Sequence, residues 1–167
     1  GLIEVVLKLV LYFVHERSWN AIPFGKREIN PAVIWLTGLP AAGKTSVARA
    51  VVEKLRKQRF KVEHIDSHAV RNLFPKIGFS RHDRDLHIQR VGFLASTLEK
   101  NGVFVVTSFV SPYEESRTFV RGLCKNFVEV HVSTPLEACK QRDQEGLYTK
   151  ARAGKIKNFT GISDPYE

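Results

Sequence analysis

The chain of 167 residues is 43% hydrophobic and 26% charged, a balance that fits one globular domain and excludes a disordered or collagen-like chain. Lys and Arg number 26 against 17 Asp and Glu, so the formal net charge is +9, which favours anionic partners. The longest basic stretch, Lys140 to Lys157, is interrupted by acidic residues and lacks a series of interleaved aromatic side chains. We therefore expect small phosphorylated ligands and no nucleic acid.

The amino-terminal segment, Leu2 to Val14, is apolar apart from Glu4 and Lys8. It is too short to span a bilayer and has no small-residue cleavage site. We expect a helix that packs on this domain, on a neighbouring domain or on a second subunit, with interfacial membrane binding as the alternative. A polar linker follows, so the predicted domains are residues 1–31, helix and linker, and residues 32–167, one compact domain.

Apolar periodicity predicts alternating strands and helices after the linker. Short runs rich in β-forming residues predict buried strands at 32–37, 60–65, 103–107 and 127–132. Helical spacing predicts helices at 45–57, 81–100, 114–123 and 135–142. This alternation predicts an α/β fold of three layers, with a mostly parallel sheet flanked by helices. Ligands bind such sheets beyond the carboxyl ends of the strands.

A glycine-bearing turn lies between the first strand and the first helix of this domain. Residues 38–45 fit G-x-x-x-x-G-K-[ST] in the structural context that identifies a P-loop. Its backbone N–H groups would cradle phosphates, Lys44 would reach the β- and γ-phosphates, and the Thr45 hydroxyl would take a position on Mg²⁺. ATP and Mg²⁺ are the predicted cofactors, and the predicted nucleotide-binding residues of the loop are Gly38, Leu39, Pro40, Ala41, Ala42, Gly43, Lys44, Thr45 and Ser46.

A P-loop by itself does not separate kinases from GTPases. Asp143 to Gly146 matches the D-x-x-G of GTPases, but it lies beyond the fourth strand, and no N-K-x-D is present to read guanine. We therefore treat that match as accidental.

Acidic, basic and aromatic residues follow the other strands. Asp66 ends the second strand, where a carboxylate could hold a Mg²⁺-bound water or accept a proton from a hydroxyl; the alternative is a helix N-cap. Cations for an anionic acceptor are available in Arg71, Arg84, Arg90 and Lys150, and an arginine can hold phosphate or sulfate with paired donors. Phe79 and Phe159 stand in polar loops, which suggests stacking on a purine rather than core packing.

Several blocks, in order and with similar spacing, resemble the adenylylsulfate kinase family. They are residues 38–45 (GLPAAGKT), 77–80 (IGFS) with Asp83-Arg84, 109–113 (FVSPY), 142–148 (RDQEGLY), 151–154 (ARAG), and 159–162 (FTGI) through 165–167 (PYE). The resemblance implies transfer of the γ-phosphate of MgATP to the 3′-hydroxyl of adenosine 5′-phosphosulfate (APS). The product is 3′-phosphoadenosine 5′-phosphosulfate. It also implies a cytoplasmic homodimer, sometimes fused to or associated with ATP sulfurylase.

Site roles follow from the resemblance position by position. Lys44 and Asp66 would be catalytic, with Thr45 and, through water, Asp66 on the metal. Phe79 and Phe159 would enclose the APS adenine. The remaining implied substrate contacts are Arg71 and Arg84 on the phosphosulfate, with His87, Val110, Ser111 and Lys150 nearby. Residues 142–157 would form a mobile lid that carries Arg142 over the nucleotide and keeps water away.

The sequence departs from the family pattern at three points. His68 stands where the family usually has a second aspartate, Leu86-His87-Ile88-Gln89-Arg90 replaces Glu-Asn-Ile-Arg-Arg, and the chain ends at Glu167, where the family continues into another strand and helix. Part of the ATP-binding wall would then be missing. These departures keep two alternatives open: a kinase for another nucleotide-like acceptor, and a non-catalytic regulatory domain. A metal site built from His64, Asp66 and His68 is not favoured.

Overall fold

A computed structural model of the protein describes residues 30–73 and 78–167. The helix predicted for Leu2 to Val14, and all but the last two residues of the predicted linker, lie outside the described residues.

Four parallel strands form the sheet. They are β1 (Val33–Thr37), β2 (Val62–Asp66), β3 (Phe104–Ser108) and β4 (Phe127–His131), in the spatial order β2-β3-β1-β4. Every pairing is parallel. Each predicted strand is confirmed, with its ends shifted by two residues or fewer.

Helices connect the strands. They are α1 (Lys44–Lys57), α2 (Ser67–Leu73), α3 (Arg81–Lys100), α4 (Glu114–Leu123), α5 (Leu136–Arg142) and α6 (Leu147–Arg152). The sequence did not predict α2 and α6 as helices, because seven and six residues are too few to show a helical apolar period. In the described part of the chain, no helix is both long and apolar enough to cross a membrane.

Both faces of the sheet are covered, because alternate residues of a strand point to opposite faces. Trp35 of β1 is fully buried among residues of α3 and α4, including Val91 and Val120. Leu36, the next residue, packs in a second cluster with Ala48 of α1. The predicted three-layer α/β architecture is thus confirmed.

A third cluster lies beyond the carboxyl ends of the strands. It joins Ala42 of the glycine-bearing loop to Cys139 of α5, to Tyr148 and Ala151 of α6, and to Phe159. Cys139 is buried and Cys124 is half-buried, and both thiols are free. This cluster attaches the predicted lid segment to the loop that follows β1.

Contact between α3 and α4 depends on a glycine. A Cβ atom at Gly92 would lie 2.6 Å from Cγ2 of Val120, so we expect Gly92→Ala to lower the free energy of unfolding by about 1–3 kcal/mol through overpacking. Gly122 of α4 is the matched control, because a Cβ there meets nothing within 4 Å, and Gly122→Ala should raise stability by up to about 1 kcal/mol. Urea unfolding measures both, and equal effects of the two changes would contradict this packing.

Candidate functional site

The loop between β1 and α1 has a conformation that its glycines permit. Gly38 and Gly43 have φ values of 140° and 95°, which L-residues with a side chain rarely adopt. A Cβ on Gly38 would also lie 2.7 Å from the carbonyl oxygen of Val132. The hydroxyls of Thr134 and Tyr148 donate to the carbonyls of Ala42 and Pro40, at 2.8 and 2.9 Å. The loop therefore has a fixed shape that leads directly into the first turn of α1.

Lys44, the first residue of α1, folds back over this loop. Its Nζ donates to the carbonyl oxygens of Gly38 and Leu39 at 3.0 and 2.7 Å. Burial lowers the pKa of Lys44 to about 8, because removing the ammonium from water disfavours its charged form. An anion bound in the loop would lie beside a cation that is short of solvation.

Asp66 is held at the end of β2 by three hydrogen bonds. Its Oδ2 accepts from the hydroxyls of Thr45, at 3.1 Å, and Ser108, at 2.9 Å, and its Oδ1 accepts from the backbone N–H of His68 at 3.0 Å. Burial alone would raise the pKa of this carboxyl, but these hydrogen bonds outweigh it and hold the pKa below its usual value. The contact with His68 lies at the start of α2, so the predicted functional and capping roles are compatible in one ionised carboxylate.

One cleft of about 600 Å³ opens beyond the carboxyl ends of the strands. It lies between the loop, the helices α2 and α3, the segment after β3, and the segment that joins α5 to α6. The predicted site residues that line it are Pro40, Ala41, Gly43, Lys44, Thr45, Ser46, Arg71, Phe79, Arg84, His87, Val110, Ser111, Arg142 and Phe159.

The other predicted site residues do not line the cleft. Gly38, Leu39 and Ala42 belong to the loop itself, and Asp66 reaches the cleft through Thr45 and Ser108, which do line it. Lys150 is exposed, and its Nζ donates to the carbonyl of Glu145 at 2.9 Å. Lys150 and Arg90, two of the four cations predicted for an anionic acceptor, therefore do not line the cleft.

The two predicted aromatic residues have different environments. Phe79 is 52% exposed, and the guanidinium of Arg71 lies 4.4 Å from the centre of its ring. Phe159 is 7% exposed and contacts Tyr148 edge-on, with 5.0 Å between ring centres. Phe79 thus offers an open ring for a planar ligand, whereas Phe159 belongs in part to the third cluster.

Arg84 joins the segments that carry these two aromatic residues. Its Nε donates to the carbonyl of Phe79 at 3.1 Å, and its terminal nitrogens donate to the Thr160 hydroxyl and the Asn158 carbonyl. Asp164 adds an ion pair at 3.6 Å. Thr160 and Ser108 were not predicted as site residues from the sequence, although Ser108 lies at the end of a strand, where such a fold binds its ligands.

His87 faces the cleft from α3 with its hydrogen-bonding capacity unused. It is 3% exposed, and neither ring nitrogen has a hydrogen-bond partner among the described residues. Burial, and then the charges of Arg71 and Arg90, lower the pKa of His87 to about 4. The ring is therefore neutral near pH 7, with one donor and one acceptor available to a ligand.

The oxygens at the mouth of the loop suit a hard divalent cation. The Thr45 hydroxyl and the Asp66 carboxylate lie 3.1 Å apart, and Mg²⁺ typically takes one or two protein oxygens and completes its shell with water and phosphate. Within residues 30–73 and 78–167, no group of three or more His, Cys, Asp or Glu side chains could hold a metal ion. The unfavoured site built from His64, Asp66 and His68 thus gains no support.

Residues 30–167 match the family model described as adenylylsulphate kinase. The adenylyl-sulfate kinase of Rippkaea orientalis is 54% identical over 135 residues, which cover 80% of this chain and 75% of that protein. The chain belongs to the adenylylsulphate kinase family. The resemblance seen in the sequence is thereby confirmed.

Solved structures of APS kinases superpose on the described fold. The Mycobacterium tuberculosis APS kinase in complex with AMPPNP and APS has a TM-score of 0.78 and 38% identity, over 83% of each chain. A hexameric APS kinase from Thiobacillus denitrificans has a TM-score of 0.58 and 27% identity, over 78% of this chain and 30% of that one. Residues 1–20 match a different model, described as a predicted membrane protein (DUF2061).

The buried His87 predicts an acid-dependent loss of stability. Because its folded-state pKa of about 4 lies below the usual histidine pKa of 6.5, the unfolded chain binds the proton first as pH falls from 6.5 to 4, and the native state loses stability over that window. We expect His87→Asn to remove this contribution, which is on the order of 1 kcal/mol at pH 5 after allowance for solvent in the cleft.

Urea unfolding at pH 7.5 and pH 5 measures this contribution. His82→Asn is the control, since His82 is an exposed residue of the same helix. An acid-dependent loss as large in His87→Asn as in the parent chain would contradict the prediction.

Proposed function

We propose that this chain transfers the γ-phosphoryl group of ATP to the 3′-hydroxyl of APS, giving ADP and 3′-phosphoadenosine 5′-phosphosulfate. The observation that carries the proposal is that two surfaces face the same cleft. One is the phosphate-binding loop, and the other, here called the aromatic wall, consists of the segments that carry Phe79, Arg84 and Phe159. Relatives named adenylyl-sulfate kinase share about half of the residues. The Mycobacterium tuberculosis relative was solved with one ligand of each class, AMPPNP and APS.

The donor half of the proposed site is the loop with Lys44, Thr45, Ser46 and Arg142. Backbone N–H groups at the start of α1 would hold the phosphates of ATP, and Lys44 would turn from the loop carbonyls to the β- and γ-phosphates. Thr45, and Asp66 through water, would hold Mg²⁺. When bound, that ion supplies positive charge that neutralises the phosphate oxygens.

The acceptor half is the wall that carries Phe79 and Phe159. Phe79 would stack on the adenine, with Phe159 closing the opposite side. Arg71 would pair with the phosphosulfate, while Arg84, already bonded to both loops, would also hold the two rings in position. Additional proposed contacts are His87, Val110 and Ser111, which line the cleft. Lys150, which stands outside it, would reach the ligand only after a movement of its segment.

Asp66 is the proposed proton acceptor. Its low pKa keeps it ionised near neutral pH, so it can take the proton as the 3′-oxygen bonds to the γ-phosphorus and the bond to the ADP oxygen breaks. Positioning and charge stabilisation supply most of the rate in such transfers. A side chain that orients the hydroxyl is therefore useful even as a weak base.

The presence of His68 favours a second candidate function, that of a non-catalytic regulatory domain. His68 lines the cleft in place of the usual family aspartate, whereas Gln89, which belongs to a second departure, is exposed on α3. A domain of this kind would bind APS or ATP without turning them over.

A coupled assay with MgATP and APS separates these candidates. We expect ADP release and a phosphorylated product, identified by mass spectrometry, because the donor loop and acceptor wall face one cleft. Asp66→Ala should lower kcat by roughly 100-fold or more, the scale expected for a lost acid–base group. Binding of APS without product would favour the regulatory domain, and absence of both binding and product would overturn the acceptor assignment.

The lowered pKa of Lys44 predicts how ATP binding depends on pH. Phosphates beside Lys44 raise its pKa above the value of about 8 in the free protein. The affinity for ATP is therefore highest below pH 8, where Lys44 is already charged, and falls as the pH rises above 8. We expect about tenfold weaker binding of an ATP analogue at pH 9 than at pH 7. Titration calorimetry measures this, and Lys44→Arg, which stays charged, should give a flatter profile; a flat profile in the parent chain would contradict the role of Lys44.

We also propose that the kinase is a homodimer, with ATP sulfurylase as the expected fused or associated enzyme. Exposed apolar side chains on α3 and α4 support self-association: Phe93, Leu94 and Phe119 are 64%, 43% and 46% exposed. Sedimentation of the parent chain and of Phe93→Ser tests the dimer.

For localisation, we propose that the kinase domain is cytoplasmic and that residues 1–20 attach it to a membrane surface. The support is the apolar run Leu2 to Val14 together with the match of residues 1–20 to a family described as a predicted membrane protein. Flotation of the full chain with anionic vesicles, compared with Leu7→Asp, tests the attachment; equal recovery of both proteins would contradict it.

A further inference from the structure

A chain of hydrogen bonds leads from Asp66 away from the cleft. The Ser108 hydroxyl donates to Asp66 Oδ2 at 2.9 Å, and Nε2 of His64 lies 3.0 Å from the same hydroxyl oxygen. Parallel pairing of β2 with β3 sets Asp66 opposite Ser108. His64 precedes Asp66 by two residues on β2, so both side chains leave the same face of the strand, and one hydroxyl can reach both.

The available protons fix the direction of these bonds. An ionised carboxylate only accepts hydrogen bonds, and a serine hydroxyl has a single hydrogen to donate. Because that hydrogen goes to Asp66, the oxygen of Ser108 can only accept from His64. His64 must therefore carry a hydrogen on Nε2, and the order of donation is His64 to Ser108 to Asp66.

The orientation of the Asp66 carboxylate depends most on this series of hydrogen bonds during the proposed reaction. In the structure, Oδ2 also accepts from Thr45, but the proposed function turns the Thr45 hydroxyl toward the metal. Ser108 and the N–H of His68 would then be the remaining partners that hold the carboxylate. Outside the cleft, His64 lines a surface depression on the α1 side, together with Arg49 and Arg56.

We propose that His64 is a positioning residue for the kinase reaction: by donating to Ser108, it fixes the orientation of the Asp66 carboxylate. This inference rests on the proposed function, because it assigns His64 to the reaction that Asp66 serves. Neither His64 nor Ser108 was among the site residues predicted from the sequence. His64 acts through Ser108 and is not in contact with the cleft.

A double-mutant cycle in the kinase assay tests the inference. We expect His64→Leu and Ser108→Ala each to lower kcat by about 10-fold, the scale of lost second-layer contacts, with KM for ATP and APS within about twofold of the parent. Because both changes interrupt the same series of hydrogen bonds, the double variant should be no slower than Ser108→Ala. His64→Gln, whose amide can donate, should recover most of the kcat lost in His64→Leu.

Controls separate positioning from folding. Arg56→Ala removes a neighbour of His64 in the same depression and should keep the parent kcat, and urea unfolding verifies that each variant is folded. An unchanged kcat in His64→Leu, a change in KM alone, or fully additive losses in the double variant would each overturn the inference.

A spectroscopic measurement tests the hydrogen bond from His64 to Ser108 independently of kinase activity. Nitrogen-15 chemical shifts of His64 distinguish a hydrogen on Nε2 from one on Nδ1, and we expect the Nε2–H form in the parent chain, with the shift altered in Ser108→Ala. If the parent chain shows no kinase activity, the proposed function fails, while these shifts still test the bond. The Nδ1–H form, or shifts unaffected by Ser108→Ala, would overturn the inference.

Discussion

Parallel pairing of the strands is the constraint on which the site depends. Because β2, β3, β1 and β4 all run in the same direction, the side chains that follow them meet at one edge of the sheet. The pairing also sets Asp66 opposite Ser108, and Thr45 approaches the same carboxylate from the start of α1. Three segments far apart in the chain thus converge on one ionised oxygen atom.

The second constraint is the attachment of the carboxyl-terminal segments to this edge. Tyr148 donates to the carbonyl of Pro40 and contacts Phe159 edge-on, while Arg84 links the segment around Phe79 to that around Phe159. The phosphate loop and the aromatic wall consequently share supporting contacts. Tyr148, which lies within the segment predicted to form a lid, therefore contacts both sides of the cleft.

Strong local signals made parts of the fold and site predictable. Buried strands appear as short apolar runs, and the long helix α3 shows its period over 20 residues. The loop before α1 was predictable because the glycines, lysine and threonine that form the phosphate-binding motif lie within eight consecutive residues. The short helices α2 and α6 were not predicted, because their formation depends on tertiary contacts. Val70 packs in the same core cluster as Trp35, and Tyr148 packs in the third cluster.

By itself, the sequence determined the three-layer α/β class, the phosphate loop with Lys44 and Thr45, and the family to which the chain belongs, since each is written in local periodicity or in a contiguous motif. Only the tertiary structure decided that Lys150 stands outside the cleft, that both nitrogens of His87 lack a partner among the described residues, and that His64 reaches Asp66 through Ser108. Those facts depend on strand register and on side-chain distances between segments far apart in the chain; His64 and Ser108, for example, are 44 residues apart. Such distances leave no periodic or contiguous signal in a single sequence, because packing of the whole domain sets them.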